Sequence, residues 1–351
     1  MLFHLVLILF DVYFLATIPG QASALTDIMG IESKIIVVIV TFFLVILFKN
    51  KKLSIPQYPF FLFFIFYFFL TFPALFNGWI PVIFSVKWFA VLLVFYIGYN
   101  DFNLKPRVIK FVLIYMISAV VLKNVLFLDY PSPVHIFNTN EAILSLVVLS
   151  YLSRAHFLGL MGVILTGSRS GIISYFSLLF YSNRKIFLKI IVVTVTLFLV
   201  FSLIGQNLIS KDIFTRFYLV LDDINCIVGE CSSPSFRVQV FKEGVKDFGS
   251  VFGLTLEYMD HYQEIWIGRY IYDPHFGVIT WLWGAGIYGL CCFVAFNYLM
   301  YQKYKKNYGY KIVFVVAFVI TMFNDLSLSI LPWYYLGYYA RSRISIKGGI
   351  R

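Results

Sequence analysis

Charge is scarce in this chain: only 13% of its 351 residues are Asp, Glu, Lys or Arg, against 61% hydrophobic ones, and the mean hydropathy is +0.86. So little charge excludes an ordinary water-soluble domain and forces the backbone to satisfy its hydrogen bonds internally. Apolar–polar alternation is also missing. Runs such as Phe60 to Leu70 and Ile191 to Leu203 are apolar nearly all round, which excludes a transmembrane β-barrel. Cysteine is rare, with four in the chain, and neither an Asp-x-Asp pair nor a His/Cys cluster of ligand spacing occurs, so the sequence predicts no metal and no cofactor. An internal repeat and a low-complexity tail are lacking too. Met1 to Gly20, followed by Ala22-Ser23-Ala24, resembles a cleavable signal peptide but has no basic n-region and carries Asp11, so a retained first helix is expected.

What remains is an all-α, polytopic helical membrane protein. The formal charge of +11 does not point to nucleic acid, because most Lys and Arg gather in short clusters between apolar runs, as the positive-inside rule expects. The clusters are Lys49/Lys51/Lys52, Lys105/Arg107/Lys110, Arg184/Lys185/Lys189, Lys303/Lys305/Lys306/Lys311 and Arg341/Arg343/Lys347/Arg351. Apolar runs read against them predict about twelve transmembrane helices, near 2–18, 35–48, 58–76, 81–99, 108–128, 139–153, 156–167, 170–182, 186–204, 276–301, 311–324 and 326–340, with both termini cytoplasmic. Several fall short of the ~20 residues a perpendicular span needs, notably the two around Arg169 and the last two. The organisation is then 1–204 as nine helices, 205–275 as one large periplasmic loop, and 276–351 as three helices and a cytoplasmic tail. The stretch Gly205 to Pro274 holds ten Asp/Glu against six Lys/Arg and is long enough to read as functional. Within it Ser233-Pro234 opens a helical pattern through Phe236, Val240/Phe241, Val245 and Phe248, and Cys226 and Cys231 could pair in an oxidising periplasm or remain free thiols.

Ten cations depart from the cytoplasmic clusters: Lys34, Lys87, Lys123, Arg169, Lys211, Arg216, Arg237, Lys242, Lys246 and Arg269. Lys87 and Lys123 sit near the outer ends of their helices, where snorkelling to headgroups accounts for them. Arg169 interrupts the apolar stretch Phe157 to Phe180 within Thr166-Gly167-Ser168-Arg169-Ser170-Gly171, and an arginine at membrane depth is a functional-site candidate. The glycines allow close backbone approach. A helix starting near Ser170 offers amides to an anion, and Ser168 and Ser170 flank a guanidinium that can grip phosphate bidentately. The bland alternative is a turn between two short helices with Arg169 on a headgroup phosphate.

Asp273-Pro274-His275 opens the tenth helix, with Asp as N-cap, Pro in first position and His275 in the first turn. The positive helix end disfavours imidazolium while Asp273 favours it, and a neutral histidine there suits removal of a proton from a sugar hydroxyl; the alternative is a histidine that only hydrogen-bonds. Trp281, Trp283, Gly284, Gly286 and Gly289, which follow, read as interfacial anchors and helix-packing residues.

In their order, Thr166-Gly167-Ser168-Arg169-x-Gly171, then Arg237 before an aromatic-bearing helix to Phe248, then His275 opening a helix that contains Gly286-Ile287-Tyr288-Gly289-Leu290, these residues resemble the bacterial O-antigen polymerase and O-antigen ligase superfamily. The likeness covers roughly residues 155 to 295, and the chain departs from the family pattern at Asp273-Pro274-His275-Phe276 and at Phe241. The resemblance implies a metal-independent glycosyltransferase of the GT-C type in the bacterial inner membrane, its active site facing the periplasm. The donor it implies is an undecaprenyl-pyrophosphate-linked oligosaccharide, with membrane lipid and a chain-length regulator as further partners and no nucleic acid. Arg169 and Arg237 would hold the pyrophosphate, with Arg269 and Arg216 as weaker candidates and Lys87, Lys123, Ser168 and Ser170 as further substrate contacts, while His275 serves as base. A polymerase is the leading expectation and a ligase acting on lipid A core its competitor. A polysaccharide or lipid transporter is less favoured, because transporters commonly show internal repeats and midplane helix breaks.

Overall fold

The structure, a computed structural model, describes residues 2–6, 8, 9, 38–48, 53–72, 82–101, 105–124, 139–166, 169–182, 187–189, 191, 192, 196, 265–267, 270–272, 277–323 and 330–341. The described residues are overwhelmingly helical, as the sequence predicts. The main helices are α1 (Gln57–Thr71), α2 (Val82–Asn100), α3 (Pro106–Asn124), α4 (Thr139–Ser153), α5 (His156–Leu165), α6 (Arg169–Ser182), α7 (Gly277–Tyr304), α8 (Tyr308–Phe323) and α9 (Ile330–Arg341). One departure lies in the long connection. There β1 (Ile265–Ile267) and β2 (Tyr270–Tyr272) pair antiparallel, with Trp266 opposite Ile271, so a stretch expected to be loop holds a hairpin rich in β-branched and aromatic residues. Among the described residues no helix is long and apolar enough to cross a membrane.

The chain divides into two compact units. The first, residues 1–41 and 102–224, contains α3 to α6. Pro106 supplies the first residue of α3, where its missing N–H costs nothing. In this unit α4 packs on α3, α5 and α6. Glycines set the spacing: a Cβ on Gly171 would stand 2.7 Å from Ile143 Cγ2, and one on Gly162 2.9 Å from Ile117 Cγ1. The α4–α5 turn closes with Ala155 N–H donating to Ser150 O at 2.9 Å and Arg154 N–H to Tyr151 O at 3.3 Å. This is a helix C-cap with its residue in the left-handed region, and Arg154 (φ 56°) occupies the position that glycine usually takes.

The second unit, residues 42–101 and 225–351, contains α1, α2, α7, α8, α9 and the hairpin. Its tightest pair is α2 with α9. Gly98 lies against the backbone of Tyr334 and Tyr338, and Gly337 against the backbone of Phe95, so each helix presents a glycine where the other's main chain passes. Beside this seam an aromatic core forms from Phe63, Trp88, Phe296 and Trp333. Phe63 stands 4.9 Å from Phe296, 5.3 Å from Trp333 and 5.4 Å from Trp88 between ring centroids. The Trp88 indole N–H is satisfied by the carbonyl of Phe63 at 2.9 Å. Asn307 joins α7 to α8: its side-chain oxygen accepts from the N–H of Gly309 (3.1 Å) and of Tyr310 (3.4 Å), and its amide donates to Tyr339 O.

The expected single helix over 276–301 is corrected by the structure. Gly286 has φ 65° and ψ −167°, a combination open almost only to glycine, and it breaks α7 into Gly277–Ala285 and Ile287–Tyr304. In a straight helix Trp281 and Phe293, twelve residues apart, would be separated by about 18 Å along the axis. Their rings instead stack at 4.4 Å with planes 16° apart. The chain therefore turns sharply at Gly286, and Trp281 is a fully buried packing residue rather than an interfacial anchor.

Candidate functional site

The two short helices expected around Arg169 are present, with the break where the sequence places it. α5 ends at Leu165, and Thr166 closes it by turning its hydroxyl back onto Val163 O at 2.6 Å. This bond removes Thr166 from the run and leaves it buried. Helix α6 then begins at Arg169 itself, one residue earlier than the periodicity predicts, so Arg169 and Ser170 occupy the first turn, whose amide N–H groups have no intrahelical acceptor. Gly171 fixes this start by letting α6 close on Ile143 of α4 and Val163 of α5. The close approach that the sequence assigns to this glycine is thus made to neighbouring helices. A further tie comes from Tyr175, one turn on, whose buried hydroxyl donates to His156 O at the opposite end of α5. The arginine consequently stands at the head of a helix held from two sides.

In the second unit a cleft of about 340 Å³ opens between α7, α8 and α9, its walls including Trp281, Phe293, Phe314, Thr321 and Trp333. It starts at Gly277 and reaches Tyr301. Gly277 has room for no side chain, since a Cβ would stand 2.6 Å from the carbonyl of Thr321. Trp281 lines the cleft, fully buried, and its indole N–H meets no acceptor among the described residues. Sequence patterning did not reveal this cleft, because its shape depends on the break at Gly286. The signal available was the density of glycines from Gly284 to Gly289.

The structure places the remaining expected site residues as follows. Lys87 lies on α2 and Lys123 on α3. His275 falls two residues before α7 and Arg269 between β1 and β2, and both lie outside the described residues, as do Ser168, Arg216, Arg237, Cys226 and Cys231. Among the described residues no group of three His, Cys, Asp or Glu side chains is arranged to hold a metal ion. No protein-family model matches the chain, and no curated protein matches it.

Proposed function

We propose that this chain is a multi-pass membrane glycosyltransferase of the O-antigen polymerase kind, acting on the outer face of the bacterial inner membrane. In the proposed reaction the bond between the sugar's anomeric carbon and the undecaprenyl pyrophosphate oxygen breaks. The hydroxyl oxygen of a lipid-linked repeat unit bonds to that carbon, its proton passes to His275, and the pyrophosphate leaves with the electron pair. Arg169 and Arg237 supply fixed positive charge where the leaving group's charge grows, which is the role a divalent ion takes elsewhere. The observation that carries this reading is the position of Arg169 as first residue of α6, since a helix N-terminus favours an anion and an arginine at that position can add a bidentate fork.

Placement in a bilayer has its own support. Phe61, Phe64 and Phe68 line one face of α1 and are 63%, 52% and 59% exposed, while Leu62, Phe63, Phe66 and Leu70 are buried on the other. A helix apolar on both faces is at ease with lipid tails on its open side and costly in water. The apolar cleft that begins at Gly277, two residues after His275 in the sequence, has room for a few isoprene units.

Arg169→Lys decides the matter most directly. A flexible ammonium keeps the charge and loses the fork, so the variant should accumulate in the membrane and make little polysaccharide. Near-normal polysaccharide would reduce Arg169 to a headgroup anchor. Lipopolysaccharide banding from a strain lacking the chain separates the two acceptors: core plus one repeat unit marks a polymerase, bare core a ligase.

A further inference from the structure

We propose that the end of the second unit where α2, α7 and α9 terminate and α1 begins is a binding site for the phosphate headgroup of an anionic phospholipid. The proposal rests on the membrane reading and not on the glycosyltransferase reading. Each of α7 and α9 carries a cation in its last turn, Lys303 and Arg341. Lys303 Nζ lies 4.9 Å above the ring of Tyr58, and the Arg341 guanidinium carbon 5.7 Å above that of Tyr99. Among the described residues neither cation is paired with a carboxylate. The acid next to this end, Asp101, is buried and accepts the hydroxyl of Tyr334.

Arg341 is held in place. One guanidinium nitrogen donates to Asn100 Oδ1 at 3.1 Å and to Tyr99 O at 3.4 Å. Asn100 is itself clamped to Ser54, accepting its N–H and donating to its carbonyl, both at 3.0 Å. The guanidinium thus keeps its other N–H groups for an outside acceptor. Asn307, bonded to Tyr339 O, brings the turn carrying Lys305 and Lys306 to the same helix end. Tyr304 is within electrostatic reach of both Tyr99 and Tyr58, so three tyrosines stand among the cations.

Cations at helix C-termini also answer the helix dipole, and that alone would make them indifferent to lipid type. Two features favour a lipid. Ring faces hold these cations through the ring quadrupole and bring no anionic charge, so their positive charge stays available to a phosphodiester. And Tyr58, three residues before Phe61, heads the exposed apolar face of α1, along which acyl chains attached to that phosphate would lie.

The test uses the full chain in nanodiscs of phosphatidylcholine, with and without phosphatidylglycerol. Phosphatidylglycerol should raise the thermal midpoint of the wild type. It should be retained over phosphatidylcholine, in native mass spectra, by a factor on the order of ten, as membrane-facing cations would give. Lys303→Gln/Arg341→Gln should lose both effects, and inorganic phosphate should reproduce neither. Equal retention of the two lipids by the wild type, an unchanged preference in the double variant, or an equal shift with inorganic phosphate would each overturn the site. The wild-type retention ratio decides the question even if the variant does not fold. Transfer activity in the same nanodiscs separates the two proposals: activity without lipid preference rejects this site alone, and preference without activity rejects the enzyme alone.

Discussion

At the residue scale, the start of α6 at Arg169 was legible because Thr166 to Gly171 interrupts an otherwise apolar run with two glycines and two serines. The residues that position it were less so. Nothing in the sequence marks Tyr175 as the tie between α6 and the start of α5, since its partner is a backbone carbonyl nineteen residues away. Trp281 was misread for a related reason. A tryptophan near a helix end reads as an anchor, and only the backbone break at Gly286 brings it onto Phe293. The chemical assignment belongs to this scale as well. If His275 is the base, His275→Ala should slow transfer by a factor on the order of 10² to 10⁴ while donor binding survives, measured with purified lipid-linked repeat units. Full turnover by the variant would remove the assignment, and loss of turnover on adding EDTA to the wild type would replace it with a metal-dependent mechanism.

At the element scale, helices with strong hydropathy and the break between α5 and α6 were readable, and the break inside α7 was not. Hydropathy predicts that residues 156–167 and 170–182 are separate short helices, and α5 and α6 occupy nearly those spans. It cannot tell a straight span from one broken at a glycine, because a positive φ leaves the apolar count unchanged. Substitution can separate these roles. Gly286→Ala forces a side chain into a glycine-only conformation and should cost about 1 to 3 kcal/mol, read as a lower unfolding midpoint in detergent. An unchanged midpoint would mean that the break does not persist in the folded protein. Arg154→Gly should act in the opposite sense. Its residue sits at φ 56° with both capping hydrogen bonds made by backbone, so glycine there should stabilise by about 1 kcal/mol. For the α2–α9 seam, Gly98→Val would drive a branched side chain into the Tyr334 main chain, with an expected loss of at least about 1 to 3 kcal/mol.

At the scale of the whole molecule, the charge pattern and the coordinates meet in one place. The basic clusters assign the start of α1 and the ends of α2, α7 and α9 to the same side, and in the second unit those ends are joined through Ser54 with Asn100, Lys303 with Tyr58, Arg341 with Tyr99 and Asn307 with Tyr339. The relative direction of these helices was therefore legible within that unit, because the sequence puts a basic cluster at or next to each of those ends. The hairpin Ile265–Ile267 with Tyr270–Tyr272 was not legible, since two three-residue strands leave no periodicity to read. Every functional role then depends on the side to which residues 205–274 belong. The proposed reaction needs this stretch on the side opposite Lys303 to Lys311, where a pyrophosphate-linked lipid is the donor a membrane enzyme could reach without nucleotide sugars. Single cysteines placed in 205–274 should react with a membrane-impermeant thiol reagent in intact cells, and cysteines at Lys303 or Lys306 only after permeabilisation. In the same assay Cys226 and Cys231, five positions apart, should resist labelling until reduced if they form a disulfide there. Labelling of 205–274 only after permeabilisation would place Arg237 and His275 on the side where nucleotide sugars are available, and the lipid-donor mechanism would lose its reason.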